Sequence, residues 1–159
     1  MVALTIIGRG WTALALVPMV IFPRTRRAGL ALTAVIVVQV VVVWALKGTV
    51  RRVRPWLALD LHDVFGAPTD FSFPSGHAAG SFSVAAFLTM LLLATRVKLR
   101  YVWSALAVAA AAAISISRVY LGVHYPSDVL VGALIGGTVG ALGGIAYLRR
   151  NGRAAPTCA

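Results

Sequence analysis

Apolar runs separated by short charged connections leave this chain few ways to fold. Residues 28–46, 78–95, 101–117 and 129–148 are almost free of charge, and residues 2–22 are interrupted only by Arg9. A helix needs about 20 apolar residues to cross a hydrocarbon core of roughly 30 Å, so these five runs read as five spanning helices. The run at 28–46 is rich in Val and Ile, which in water would favour a strand. In lipid its length decides for a helix, because an open strand edge leaves backbone groups unsatisfied. The first run is the weakest, since only residues 11–22 escape the charge of Arg9.

The expected fold is an all-α polytopic bundle, N-terminus outside and C-terminus inside. It comprises one domain over residues 1–150 and a cytoplasmic tail over 151–159 without regular structure. With 60% hydrophobic and 12% charged residues, 159 residues cannot also supply a soluble domain. No Lys or Arg precedes the apolar stretch and no small-residue cleavage site precedes Pro23, so no removable signal peptide is expected. Cys158 is a single thiol and excludes an internal disulfide.

The net charge of +11 invites a nucleic-acid reading, but the basic residues lie between apolar runs. Arg24, Arg26 and Arg27, then Arg96, Lys98 and Arg100, then Arg149, Arg150 and Arg153 mark alternate connections. By the positive-inside rule these face the cytoplasm, and the partner is a bilayer rather than nucleic acid. Asp60, Asp63, Asp70, Asp128 and all three histidines fall on the other side, with Lys47, Arg51, Arg52, Arg54 and Arg118. Cations placed against the orientation signal point to function. Gly132, Gly136, Gly140 and Gly144 recur every four residues and form a smooth face for a neighbouring helix. The bundle's own packing is the first use of that face, and a homodimer seam the second.

Three outer segments carry the polar chemistry. Residues 47–55 contain Lys47 and Arg54-Pro55, residues 74–77 read Pro-Ser-Gly-His, and residues 117–128 contain Ser117-Arg118, His124 and Asp128. Taken singly, each has a bland explanation: a basic cluster at headgroups, a helix start capped by Ser75, and a helix start with Ser127 as cap and Asp128 in its first turn. Their occurrence on one side of the membrane, beside helix ends that a small bundle must gather, is not explained that way. Arginine with histidine and a carboxylate makes an anion clamp, a nucleophile and a group to orient it.

Lys-x6-Arg-Pro, Pro-Ser-Gly-His and Ser-Arg-x5-His-x3-Asp, in that order over residues 47–128, closely resemble the type 2 phosphatidic acid phosphatase family. These membrane lipid phosphatases share their active site with vanadium-dependent haloperoxidases. The resemblance implies that His124 is the nucleophile that becomes a phosphohistidine, that Asp128 orients it, and that His77 protonates the leaving oxygen. It assigns Lys47, Arg54, Ser75, the Gly76 N–H and Arg118 to the phosphate oxygens. Arg51 and Arg52, in the variable part of the first motif, are expected at lipid headgroups, and His62 in a solvated loop over residues 56–70. No metal or other cofactor is implied, and two dispersed histidines without any Glu make a poor metal site. Family members commonly have six helices; here the first of those is missing from the run pattern, which bears on stability and on the lipid access gap rather than on the motifs.

The expected activity is hydrolysis of a lipid phosphate or diphosphate at the extracytoplasmic face of the cell membrane, with a polyprenyl diphosphate or phosphate foremost. Phosphatidylglycerophosphate, phosphatidic acid and prenyl-sugar phosphates are the alternatives. Vanadate-dependent peroxidation and a non-catalytic headgroup receptor are more remote readings.

Overall fold

The computed structural model describes residues 20–59 and 69–152. Within them the chain is all helical: α1 (Arg26–Val50), a single turn α2 (Pro55–Ala58), α3 (Gly76–Leu93), α4 (Arg100–Tyr120) and α5 (Pro126–Arg150). Among the described residues, four helices are long and apolar enough to cross a membrane. They correspond to the second to fifth runs, each longer or shifted by a few residues. The first expected helix lies almost wholly outside the described residues, as do Asp60, His62 and Asp63. Of the expected tail, Asn151 and Gly152 form the turn closing α5, with the Asn151 side-chain amide donating to Tyr147 O at 2.8 Å; the remainder lies outside the described residues.

The shortest long helix, α3, has 18 residues and so spans about 27 Å, enough for a hydrocarbon core with little tilt. Large apolar side chains face outward all round the bundle, among them Val37, Val41, Trp44, Leu106, Ile116, Leu134 and Leu142. Such a belt is intolerable in water and ordinary in lipid.

The main packing contact is between α3 and α5, where the glycine stripe is used. A Cβ on Gly136 would meet the carbonyl of Ala79, and one on Gly140 that of Ser83, both inside the 3.0 Å that real Cβ atoms do not cross. At Gly132 the obstacle would be Ser75 O at 2.5 Å, and at Gly144 Met90 Cβ at 2.7 Å. The two backbones therefore touch at three successive turns, with the Met90 side chain closing the row at the fourth, the geometry that small residues permit between helices in lipid. The stripe is occupied within the chain, which is the first of the two uses expected for it. Lower in the bundle Leu32, Val35 and Phe87 form the buried apolar core. Phe87 leans on Tyr147 with ring centroids 6.1 Å apart, tying α3 to α5 beyond the glycines.

Two local features fix where the helices open and close. Ser75 caps α3, its Oγ accepting from Ala78 N at 3.4 Å. For α5 the cap is Tyr125 rather than Ser127: Pro126, whose φ is preset for a first helical position, starts the helix earlier and puts Ser127 inside its first turn.

Gly136→Ala and Gly137→Ala separate backbone contact from helix propensity. Gly137 faces open space, so its substitution leaves thermal stability in detergent unchanged or slightly raised. Gly136→Ala is expected to destabilise by roughly 1–3 kcal/mol or more, through overpacking against Ala79.

Candidate active site

Because α3 and α5 touch along their length, their N-termini lie side by side. The Ser75 N–H donates to the Asp128 carbonyl at 2.9 Å, joining the Pro-Ser-Gly-His segment to the last motif directly. Gly76 and His77 are the first two residues of the helix that Ser75 caps, and the His77 Nε2 is buried there.

Asp128 is wholly buried, and its carboxylate organises the segment around it. Oδ2 accepts from the Tyr125 N–H at 3.0 Å and from Ser72 Oγ at 2.5 Å; Oδ1 accepts from Arg52 Nη1 at 2.9 Å. His124 Nδ1 lies 3.6 Å from Oδ2, an ion-pair distance too long for a hydrogen bond. Ser72 Oγ stands between them, 3.4 Å from Nδ1. A hydroxyl that donates to the carboxylate can accept from Nδ1–H, which fixes the tautomer and leaves the Nε2 lone pair as the reactive one.

That Nε2 faces Arg54 Nη1 at 3.2 Å. Arg54 is 5% exposed and is held by backbone: Nη1 donates to Val123 O at 2.8 Å and Nε to Asp70 O at 2.8 Å. Its Nη2 meets Asp70 Oδ1 at 2.6 Å, and Lys47 Nζ meets Asp70 Oδ2 at 2.7 Å and the Phe71 carbonyl. Lys47 and Arg54 converge because α1 ends between them. Arg51 adopts a left-handed conformation at φ 48° and its N–H closes on Lys47 O at 3.1 Å, so the chain reverses. Arg118, in the last turn of α4, is 3% exposed; its guanidinium donates to Ser117 Oγ at 3.1–3.2 Å. Its carbonyl accepts from the Val123 and His124 N–H groups and so sets the turn that carries the imidazole.

Electrostatics separate the ionisable groups outside the spans. Burial pushes the His124 imidazole below its ordinary value; Asp128 opposes this, while Arg54 and Lys47 add to it. The ring is therefore neutral at physiological pH, with its Nε2 lone pair available. For Asp70 burial works upward, but the hydrogen bonds and charges of Lys47 and Arg54 together outweigh it and hold the carboxyl below its usual range.

Lys47, Arg54, His124 and Asp128 are thus brought together by side chain, Ser75 by its backbone, and Arg118 by the turn it holds. Arg52 departs from expectation. Instead of facing headgroups it stacks on the Tyr125 ring, 3.9 Å from the centroid, and bonds Ser127 Oγ at 2.8 Å and Asp128. Arg51 is exposed and its Nε bonds Gly48 O at 2.9 Å. Ser72 and Asp70 carried no sequence signal beyond standing just ahead of residues 74–77. Among the described residues no three of His, Cys, Asp or Glu gather as a metal site requires.

The PAP2 superfamily model matches residues 28–151. The chain belongs to the PAP2 superfamily. Decaprenylphosphoryl-5-phosphoribose phosphatase of Mycobacterium tuberculosis is 37% identical over 136 residues, covering 84% of this chain and 69% of the relative. Undecaprenyl-diphosphatase of Sulfolobus acidocaldarius is 34% identical over 125 residues, 78% of this chain and 57% of the relative. The crystal structure of a transmembrane PAP2 type phosphatidylglycerolphosphate phosphatase from Bacillus subtilis superposes with a TM-score of 0.76 at 28% identity, over 90% of this chain and 72% of that one. The protein is accordingly a multi-pass membrane lipid phosphatase of the PAP2 family.

Ser72→Ala removes the hydroxyl between Asp128 and His124 without touching either. Loss of one hydrogen bond to a buried carboxylate is worth about 1.5–3 kcal/mol, so kcat is expected to fall roughly 10- to 100-fold with little change in KM.

Proposed function

We propose that this PAP2 phosphatase hydrolyses a polyprenyl diphosphate or phosphate through a phosphohistidine on His124. The observation that carries the mechanism is a buried, neutral imidazole whose Nδ1 faces Ser72 and Asp128 while its Nε2 faces the guanidinium of Arg54.

Uncatalysed phosphate-ester hydrolysis is among the slowest of biological reactions, and its catalysis is mainly positioning and stabilisation of charge on the phosphoryl oxygens. Lys47, Arg54 and Arg118, with the Ser75 hydroxyl and the Gly76 N–H at the start of α3, supply those donors. The Nε2 lone pair of His124 forms the N–P bond as the bond from phosphorus to the lipid oxygen breaks. Asp128 stabilises the positive charge left on the ring. His77 gives its proton to the departing oxygen, which leaves as a lipid alcohol or, from a diphosphate, as the lipid monophosphate. Water then attacks phosphorus, His77 takes its proton, and inorganic phosphate is released from His124.

The polyprenyl choice rests on relatives named for a decaprenylphosphoryl-5-phosphoribose and for an undecaprenyl diphosphate, two lipids that share a polyprenyl tail, each matched over most of this chain. Phosphatidylglycerophosphate is the second reading, favoured by the likeness to the Bacillus subtilis structure. The site faces the extracytoplasmic side in this proposal, because the motifs lie opposite the connections holding Arg24, Arg26, Arg27, Arg96, Lys98 and Arg100.

Purified protein in detergent with EDTA is expected to release phosphate from a polyprenyl diphosphate faster than from phosphatidylglycerophosphate or phosphatidic acid, and His124→Ala to release none. No release from any lipid by the intact protein would refute the proposal. The acid limb of kcat/KM should centre below 6.5, since His124 keeps its lone pair until the pH falls beneath the ordinary histidine value. In a Cys158→Ser background, an impermeant maleimide should label a cysteine at Thr69 from outside and one at Thr25 only after permeabilisation. The reverse pattern would invert the orientation.

A further inference from the structure

The two cations at the mouth of the site do not face solvent directly. Lys47 is 12% exposed and Arg54 5%, and above them lies the Asp70 side chain, 56% exposed. Each carboxylate oxygen takes one cation, Oδ2 the ammonium at 2.7 Å and Oδ1 the guanidinium at 2.6 Å. Two oxygens each gripped by a different cation is the arrangement a bound phosphate would adopt. We propose that Asp70 is an internal stand-in for the substrate phosphate and acts as a charge filter, admitting phosphomonoester and diphosphate headgroups and rejecting phosphodiester lipids. This rests on the reading of Lys47 and Arg54 as phosphate ligands.

A purely structural duty for the carboxylate is disfavoured by what else holds the cations. Arg54 is anchored by the carbonyls of Val123 and Asp70, and Lys47 by that of Phe71. These are backbone acceptors that survive a change of the Asp70 side chain. What the carboxylate adds is negative charge at two cations that backbone carbonyls already hold in place. Its exposure lets it swing outward without crossing the core.

A ligand displaces such a stand-in only by its advantage over it. A phosphodiester carries one negative charge, as a carboxylate does, and gains nothing by the exchange. A phosphomonoester, or the terminal phosphate of a diphosphate, carries about 1.5–2 negative charges at neutral pH and has a third oxygen to bond. Phosphodiesters are the bulk of a phospholipid membrane, so a clamp with no such filter would be filled by its surroundings.

The test is titration calorimetry of inorganic phosphate into the full chain in neutral detergent. If the closed state holds about nine-tenths of the molecules, Asp70→Asn should tighten phosphate binding about tenfold. Asp70→Ser should act in the same direction. Phosphatidylglycerol added to the micelles should weaken phosphate binding by both variants and leave the unsubstituted protein unaffected. Unchanged or weaker phosphate binding by the variants would overturn the proposal. Failure of both to fold would overturn it equally, since the carboxylate is given no structural duty. Arg54→Ala separates this from the underlying reading: phosphate binding that survives it refutes the clamp itself, whereas its loss beside unchanged Asp70 variants refutes the filter alone.

Discussion

The backbone contact between α3 and α5 is the constraint on which the site depends. Helix faces that touch at glycine cannot slide without driving a Cβ into a carbonyl, so the two helix starts are fixed in register. The Ser75 N–H then reaches the Asp128 carbonyl, and segments about fifty residues apart in sequence share one short hydrogen-bonded seam. Because Ser75 and Gly76 open one helix and Asp128, beside His124, lies in the first turn of the other, that register sets how the motif residues face one another. Membrane helices gain little hydrophobic energy from meeting one another, which leaves close van der Waals contact to do the fixing.

Above the seam the site is a balance of charges in a nearly dry place. Asp128 is buried with donors on both oxygens, from Arg52, Ser72 and the Tyr125 backbone. A carboxylate so provided for stays ionised without borrowing the proton of His124. The imidazole, kept neutral by burial and by the neighbouring cations, retains its nucleophilic pair. Asp70 performs the matching service for Lys47 and Arg54, from the solvent side.

Much of this was legible in the sequence, and what was not has physical reasons. The four apolar runs gave their helices within a few residues, because length and hydropathy alone decide that in lipid. The glycine stripe announced a packing face by its period. The motifs named Lys47, Arg54, Ser75, His124 and Asp128, which the fold brings together. Ser72 escaped notice, and Asp70 stood out only as one of the acidic residues of the outer side, because a serine or an aspartate ahead of a helix is ordinarily a solvated turn residue. Only the crossing of a segment 52–56 residues away in sequence makes Ser72 a neighbour of His124 and Asp128. Arg52 was misjudged because spacing cannot foretell which way a long side chain points after a chain reversal; the turn at Arg51 sends it to Asp128. Ser127 lost its expected cap position to Tyr125 because Pro126 is preset to open a helix.

The left-handed residue at the end of α1 gives a meaning to the spacing of the first motif. Were the helix to run on, Lys47 and Arg54 would stand on the same face about 10 Å apart along its axis, and could meet on one small anion only with both long side chains stretched toward each other. The reversal at Arg51 folds that distance away, so the six intervening residues measure a bend and not a pitch. In the proposed clamp, the grip on a headgroup is therefore written in where a helix stops. A substitution that merely prolonged α1 by one turn would part the two cations while leaving both of them in the chain.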